Sequence, residues 1–508
     1  MNIIIGPPGT GKTTRLLSLV EGELDKKVSS EDIGYFAFTN RAADEAKSRA
    51  NIKFNLDNNS LPYFRTLHSL AFQQLGMSRS QVFNEDQKKE FGNLMGIEIT
   101  GKSSFEEGSF AFSKKGDLIL GIIEVARVRG VSARQQWSQD NPDVSWYEVE
   151  RVERGLSEFK KARNLYDFTD MLSLFLSEEA APKLDVIFID EAQDLSYLQW
   201  QVVYRLEKLC NKMYIAGEDD QAIFRWAGAE VNNFLELEGH LTVLDQSYRV
   251  PQHAHFLASS LIKRVARRRD KFWKPLPQEG KLFWHSSLEH VDMSEGEWLI
   301  LARNNYLLRQ AEGQCRLEGF FYQRNNRKGV TDTLLDAIVS WEALRKGESV
   351  TVAQVKKVYR YLTADKGVAK AHKNLKSLFD EALLSLQDLL ASHGLLTTAI
   401  WHEAFDKVSD KEKQYLIACL RRGEKLTKEP RIHISTIHGA KGSEADNVVV
   451  LTDIGQKSWL QMQKDPDDEI RVFYVALTRV KKNLHIIQPT TNRSFLLYDY
   501  FPLYQSCV

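Results

Sequence analysis

Eight consecutive residues, Gly6-Pro7-Pro8-Gly9-Thr10-Gly11-Lys12-Thr13, fit the pattern G-x-x-x-x-G-K-[ST] directly after an apolar run at 2–5. Between a strand and a helix, Gly6, Gly9 and Gly11 let successive backbone N–H groups face a phosphate. Lys12 then brings a point charge to the β- and γ-phosphates, and the Thr13 hydroxyl can meet Mg²⁺. A chance glycine turn is the competing reading of this stretch alone. A second half-site answers it, because Asp190-Glu191-Ala192-Gln193 follows the apolar run Val186-Ile187-Phe188-Ile189. An acidic pair at the carboxyl end of a buried strand can hold Mg²⁺ through Asp190, while Glu191 orients and deprotonates an attacking water. In isolation the pair also reads as an acidic helix cap; beside a phosphate loop it reads as nucleoside triphosphate hydrolysis. Farther on, Gln221 ends a polar run in reach of a γ-phosphate, and Phe224 and Trp226 follow it. Their ring faces suit stacked bases, at about 1–3 kcal/mol each, although aromatics this close also commonly form core.

The elements that must position these groups are strands and helices in alternation. After the run at 2–5, the Leu16, Leu17 and Val20 spacing predicts the buried face of a helix, and Tyr35-Phe36-Ala37-Phe38 predicts a second strand. Thr39-Asn40-Arg41-Ala42-Ala43 opens a helix ending near residue 49, and Arg65-Thr66-Leu67-His68-Ser69 leads into another, with His68 read on its own as a packing or capping residue. Continuous apolar runs at 186–189 and 213–216 predict parallel strands buried on both faces. From 78 to 160 the pattern becomes charged and helical, with a loop over 101–116, and from 331 to 429 it becomes helical again, with Leu383, Leu386 and Leu390 on one face. Strands return at 298–302, 432–434 and 448–450. The fold class is α/β.

Composition bounds the partners. The 508 residues carry 68 Lys+Arg against 68 Asp+Glu, so nucleic-acid binding must use a local groove and not the field of the whole molecule. The run Lys263-Arg264-Val265-Ala266-Arg267-Arg268-Arg269 offers phosphate contacts or a solvated helix face. Cys210, Cys315, Cys419 and Cys507 lie too far apart for a C-x-x-C site, which fits a reducing cytoplasm. Met1 leads straight into the first strand and no apolar run is long enough to span a bilayer, so neither a signal peptide nor a membrane anchor is expected.

Read together, these stretches resemble the motifs of superfamily 1 DNA helicases of the UvrD, Rep and PcrA type. The phosphate loop resembles motif I, residues 38–43 motif Ia, 66–69 motif Ib, 190–194 motif II, 217–229 motif III and 244–249 motif IV. Residues 435–444 are similar to motif V, 471–479 to motif VI, and Tyr166-Asp167-Phe168-Thr169-Asp170-Met171 to a further family stretch. The resemblance implies two RecA-like parallel-sheet domains, each with a helical insertion, and ATP with Mg²⁺ between them. It implies a first domain (1A) over 1–77 and 161–249, its insertion 1B over 78–160, a second domain (2A) over 250–330 and 430–508, and a reduced insertion 2B over 331–429. It extends the nucleotide contacts to Thr14, stacks Tyr248 on the base, brings Glu444 to the ribose, and sends Arg249 and Arg479 to the γ-phosphate as arginine fingers. It lines a DNA groove with Phe38, Asn40, His68, Phe224, Trp226, Thr436 and His438.

The chain departs from the family pattern in several places. The 331–429 segment is short and lacks the Gly-Ile-Gly turn used to touch duplex; no glutamine motif precedes the phosphate loop; Ser443 replaces a leucine and Ile470 an arginine. Some relatives append a nuclease domain after motif VI, and from the short stretch after Arg479 none is expected here. The resulting expectation is a monomeric cytoplasmic ATP-dependent DNA helicase moving 3′ to 5′ on single-stranded DNA and acting at single/double-strand junctions. A DNA-stimulated ATPase that displaces proteins or serves a partner nuclease, and a nucleotide-gated DNA-binding module, stand as alternatives.

Overall fold

The computed structural model describes residues 1–57, 59–100, 114–372, 375 and 378–497. Strands β1 (Asn2–Ile5), β2 (Ile33–Ala37), β3 (Phe64–Thr66), β4 (Val186–Ile189), β5 (Lys212–Gly217) and β6 (His240–Val243) form one sheet. Their order is β3-β2-β4-β5-β1-β6, with every pairing parallel. Branched aliphatic side chains suit strands covered on both faces, and the two faces carry separate cores. Ile3, Ile5, Ile187, Ile189 and Trp200 pack on one side, and Ile4, Tyr35, Val186 and Phe188 on the other, as a period of two requires.

A second sheet follows. Strands β7 (Lys281–His285), β8 (Trp298–Ala302), β9 (Tyr322–Arg324) and β10 (Arg327–Lys328) come first, then a separate short pair β11 (Val350–Thr351) and β12 (Leu383–Leu384). Strands β13 (Ile432–Thr436), β14 (Ala445–Leu451) and β15 (Val480–Ile487) close the set. The sheet order is β10-β9-β13-β8-β14-β15-β7, parallel except for the β9–β10 hairpin. Two parallel sheets are thus present, as the resemblance implies.

Local sequence explains the helices between the strands. Lys12–Asp25 buries Leu16, Leu17 and Val20, and it starts from Gly11 at φ 79°, a left-handed turn that favours glycine. The Thr39 hydroxyl accepts the Ala42 N–H and caps Asn40–Phe54, which runs past residue 49 because no glycine or proline stops it before Asn55 takes the left-handed conformation. Between residues 78 and 165 the helices Glu85–Met95, Lys115–Arg129, Ala133–Asp140 and Trp146–Arg163 bury Phe91, Ile119, Ile122, Val149 and Val152 in a core of their own. Most of the loop expected at 101–116 lies outside the described residues.

The 331–429 segment is helical but not separate. Trp341, Tyr359, Leu389 and Leu416 share one apolar core with Trp298, Ile300, Ile432 and Ile434 of the second sheet. The expected Leu383, Leu386, Leu390 face is corrected. Ser385 and Asp388 form a capping box that starts the helix at Leu386, leaving Leu383 on β12, and the buried positions are Leu384 and Leu389, while Leu383 and Leu390 face solvent. Among the described residues, no helix is long and apolar enough to cross a membrane.

Trp200, on the helix Tyr197–Glu207, is fully buried against the first sheet. Trp200→Ala is expected to cost about 3–5 kcal/mol in denaturant unfolding, as a large core truncation does; a loss under about 1 kcal/mol would mean that this face is not the packed core described.

Candidate nucleotide site and adjoining aromatic cluster

The phosphate loop and the acidic pair both leave the carboxyl edge of the first sheet, where parallel α/β sheets place their ligands. Lys12 Nζ lies 3.1 Å from the Gly6 carbonyl and 3.5 Å from Glu191 Oε1. The Thr13 hydroxyl donates to Asp190 Oδ2 at 3.1 Å, and the Glu191 N–H donates to Asp190 Oδ1 at 2.9 Å. Thr13 and Asp190 therefore present adjacent hard oxygens, the donor set that Mg²⁺ takes. Thr14 points elsewhere, its hydroxyl accepting from Arg49 Nη2 at 2.8 Å.

Glu191 is held with care. It sits at φ 55°, a left-handed conformation unusual for a residue with a side chain, and Gln193 Nε2 donates to its Oε2 at 2.6 Å. Burial raises its pKa, but Lys12, Lys441 and the Gln193 hydrogen bond outweigh that and hold it at about 2, so it is a carboxylate at any ordinary pH. Burial and repulsion from Glu191 push Asp190 the other way, above the usual range.

The segment after β6, which leads to the second sheet, closes over this edge. The Ser247 hydroxyl donates to the Pro8 carbonyl at 2.7 Å and the Tyr248 N–H to the Gly9 carbonyl at 2.8 Å, while the Tyr248 side chain stays exposed. A Cβ on Gly9 would meet Arg249 Cβ at 2.5 Å, and Gly9 has φ 73°, so glycine is required here on both counts. Arg249 pairs with Glu444 at 2.5 Å, and Lys481 reaches the other Glu444 oxygen at 2.8 Å. Arg479 is buried, and its Nη2 donates to Gln221 Oε1 at 3.0 Å. Lys441 crosses between the sheets: it pairs with Asp194, donates to the Gln221 carbonyl at 2.8 Å and lies 3.9 Å from Glu191 Oε2.

Lys441 also lies 5.3 Å above the ring of Phe224, linking the carboxylates to the aromatic residues. Phe38 stacks on Phe224 at 5.6 Å, and His438 meets Phe224 and Trp226 edge-on at 5.9 and 6.0 Å. Phe38, Phe224 and Trp226 are part-exposed, whereas His438 is buried against them; Thr436 is buried at the end of β13, its hydroxyl accepting the Gly439 N–H. Two residues fall outside this cluster. Asn40 is exposed beside Thr66 at the edge of the sheet, and His68 packs edge-on against the exposed Phe168, with burial lowering its pKa to about 4 so that it is neutral.

Behind the Gln221 turn, Glu218, Asp219 and Asp220 are fully buried. One oxygen of each lies 2.9, 2.6 and 2.9 Å from the ammonium of Lys271, so this acidic cluster already surrounds a cation of its own. Arg268 makes a forked pair with Asp220 at 2.9 and 2.7 Å, and Arg269 Nη2 donates to the Phe234, Leu235 and Leu237 carbonyls. The basic run is therefore neither a phosphate-binding surface throughout nor a solvated helix: the helix ends at Ile262, and Arg268 and Arg269 turn inward. Sequence reasoning missed Lys271, and it placed Ser247 and Tyr35 only as members of a motif and of a strand. Gln193, Asp194 and Lys441 lay inside recognised stretches, yet nothing in their spacing assigned them contacts.

Comparison with known proteins gives consistent results. The family model of the UvrD/REP helicase N-terminal domain matches residues 1–242, and that of the UvrD-like helicase C-terminal domain matches residues 342–491. Similar relatives include the ATP-dependent DNA helicase PcrA of Staphylococcus aureus, 24% identical over 318 residues, which is 58% of this chain and 42% of that protein. The Staphylococcus epidermidis protein of the same name is 23% identical over the same shares. The chain thus spans less than half the length of these relatives.

Burial, opposed by Lys271 and reinforced by repulsion from Asp220 and Asp219, pushes Glu218 up to about 7 from an ordinary 4.5. The folded state therefore binds this proton more tightly than the unfolded chain does, and the contribution of Glu218 to stability falls as pH rises from 4.5 through about 7. Glu218→Gln removes that term. Denaturant unfolding across this range should show the variant gaining on the wild type as pH rises; a pH-independent difference would contradict the assignment.

Proposed function

This chain belongs to the UvrD-like helicase family, and from that premise we propose that it is an ATP-dependent DNA helicase that moves 3′ to 5′ along single-stranded DNA and unwinds duplex at junctions. The observation that carries this reading is the position of Lys441, which comes from the second sheet, touches the acidic residues of the first, and lies over the Phe224 ring. One cation thus lies beside Glu191 and over the Phe224 ring, so a change at one reaches the other through it.

In the proposed cycle the N–H groups of the phosphate loop and Lys12 bind the phosphates, and Tyr248, exposed at the rim, stacks on the base. Thr13 and Asp190 would hold Mg²⁺, which supplies charge neutralisation of the phosphate oxygens. Glu191, ionised and oriented by Gln193, positions and deprotonates the attacking water. Gln221 after β5, Arg249 in the segment that leads to the second sheet and Arg479 from the second sheet stabilise charge on the γ-phosphate, the two arginines as arginine fingers. Closing and opening of the two sheets would then shift Phe38, Phe224 and Trp226 against successive bases, a sequence-tolerant grip suited to movement.

A reading as an ATPase that moves on DNA without separating strands is favoured by the 331–429 segment, whose core is continuous with the second sheet. Duplexes with a 3′ or a 5′ single-stranded tail distinguish the two. Unwinding from the 3′ tail alone supports the helicase; ATPase stimulated by DNA without unwinding on either tail supports the second reading, and unwinding from the 5′ tail overturns the polarity.

Glu191→Gln should bind ATP but lose about 10²–10⁴-fold in turnover, since it removes the base and leaves the loop intact; equal loss of ATP binding would make its role structural. Trp226→Ala should weaken single-strand binding by about 1–3 kcal/mol while basal ATPase persists, and unchanged affinity in a binding titration would remove Trp226 from the groove.

A further inference from the structure

Across the first sheet, four aromatic residues stand directly in register on neighbouring strands. Phe64 on β3 faces Tyr35 on β2, Tyr35 faces Phe188 on β4, and Phe188 faces Tyr214 on β5. Their rings form a row, with centroids 5.0 Å apart for Phe64–Tyr35, 6.4 Å for Tyr35–Phe188 and 5.0 Å for Phe188–Tyr214, all within 24° of parallel. Tyr35 is an inner member, fully buried between strands, so its ring has no alternative position. Phenylalanine would stack equally well in this row. The part of Tyr35 that packing does not require is the hydroxyl, and a buried hydroxyl without a partner is costly.

That hydroxyl has one partner, donating to Asp190 Oδ2 at 2.7 Å. Asp190 follows β4 two residues after Phe188 and so projects from the same face, which brings its carboxylate to the end of the ring row. Its donors are few and distinct. The Glu191 N–H fixes Oδ1, whereas Oδ2 receives both the phenol and the Thr13 hydroxyl. Thr13 is itself a candidate metal ligand, which leaves the backbone amide and the phenol as the fixed donors of this carboxylate. A neutral donor orients a carboxylate without neutralising it, as a lysine or arginine would, and so leaves its charge available to a divalent cation.

We propose that Tyr35 is a positioning residue for the divalent cation of the nucleotide site, its phenol held rigid by the aromatic row and fixing Asp190 in the orientation that binds Mg²⁺. This deepens the proposed function and rests on its assignment of Asp190. Carboxylates that ligate metals are held by outer hydrogen bonds of this kind, and losing one typically costs about 10–100-fold in metal affinity.

The test titrates Mg²⁺ against binding of a fluorescent ATP analogue, without hydrolysis, in the full chain. Tyr35→Phe, which keeps the ring, should raise the Mg²⁺ midpoint about tenfold or more, with metal-free nucleotide affinity and single-strand DNA affinity within about twofold of wild type. Tyr214→Phe removes a phenol from the end of the same row, where it meets Glu23 at 3.4 Å, and should leave the midpoint unchanged. An unchanged midpoint in Tyr35→Phe, or an equal shift in Tyr214→Phe, overturns the inference while leaving the nucleotide site standing. Absence of any Mg²⁺-dependent nucleotide binding in the wild type overturns the proposed function, and this inference with it.

Discussion

A guanidinium buried between two sheets, whose hydrogen bonds among the described residues go to neutral groups, sets the terms for the rest of this molecule. Arg479 is 2% exposed, and its partners are neutral: the Gln221 side-chain oxygen, the Val475 carbonyl and the Thr478 hydroxyl. Burial, and then repulsion from Arg249, lower its pKa to about 9. Glu191 and Glu444 compensate this cation only in part, so it favours an arrangement that brings a further anion to it, and the phosphate loop lies on the facing wall. On the proposed reading that anion is the γ-phosphate, and the attraction between it and Arg479 is what draws the sheets together.

The remaining charges at the seam keep this arrangement specific. Asp194, buried, is pushed up to about 6 by burial against the pull of Lys441, and the pair ties the loop after β4 to the second sheet. Gln193 ties together the carboxyl ends of the neighbouring strands β4 and β5, donating to Glu191 and accepting the Glu218 N–H at 2.9 Å. Beyond it, Lys271 and Arg268 anchor the segment that leads into the second sheet on the three buried carboxylates before Gln221. A chain of short polar contacts thus runs from Glu191 to the linker between sheets, in a setting where each unpaired charge would be expensive.

Much of this was legible because it is local. The glycines, Lys12 and Thr13 of the phosphate loop, the apolar run before Asp190, and the Thr39 cap are patterns of adjacent residues, and periodicity finds them. The aromatic residues Phe38, Phe224 and Trp226 and the two arginines came from order and resemblance, and the structure brings the first three together with His438. What escaped was set by distance in sequence. Lys271 meets Asp219 from 52 positions away, Tyr35 meets Asp190 from 155, and Lys441 meets Asp194 from 247. No window on the sequence holds both partners. The error at Leu383 was one of register, since a period alone does not say where a capping box begins a helix.

The most direct test of the seam is single-turnover hydrolysis of ATP by Arg479→Ala, with ATP affinity measured in parallel and single-stranded DNA present. If Arg479 completes the phosphate site from the opposite sheet, the rate should fall on the order of 10³–10⁵-fold while affinity changes far less. Hydrolysis that stays near the wild-type rate would contradict the account, because the nucleotide would then be cleaved without the second sheet.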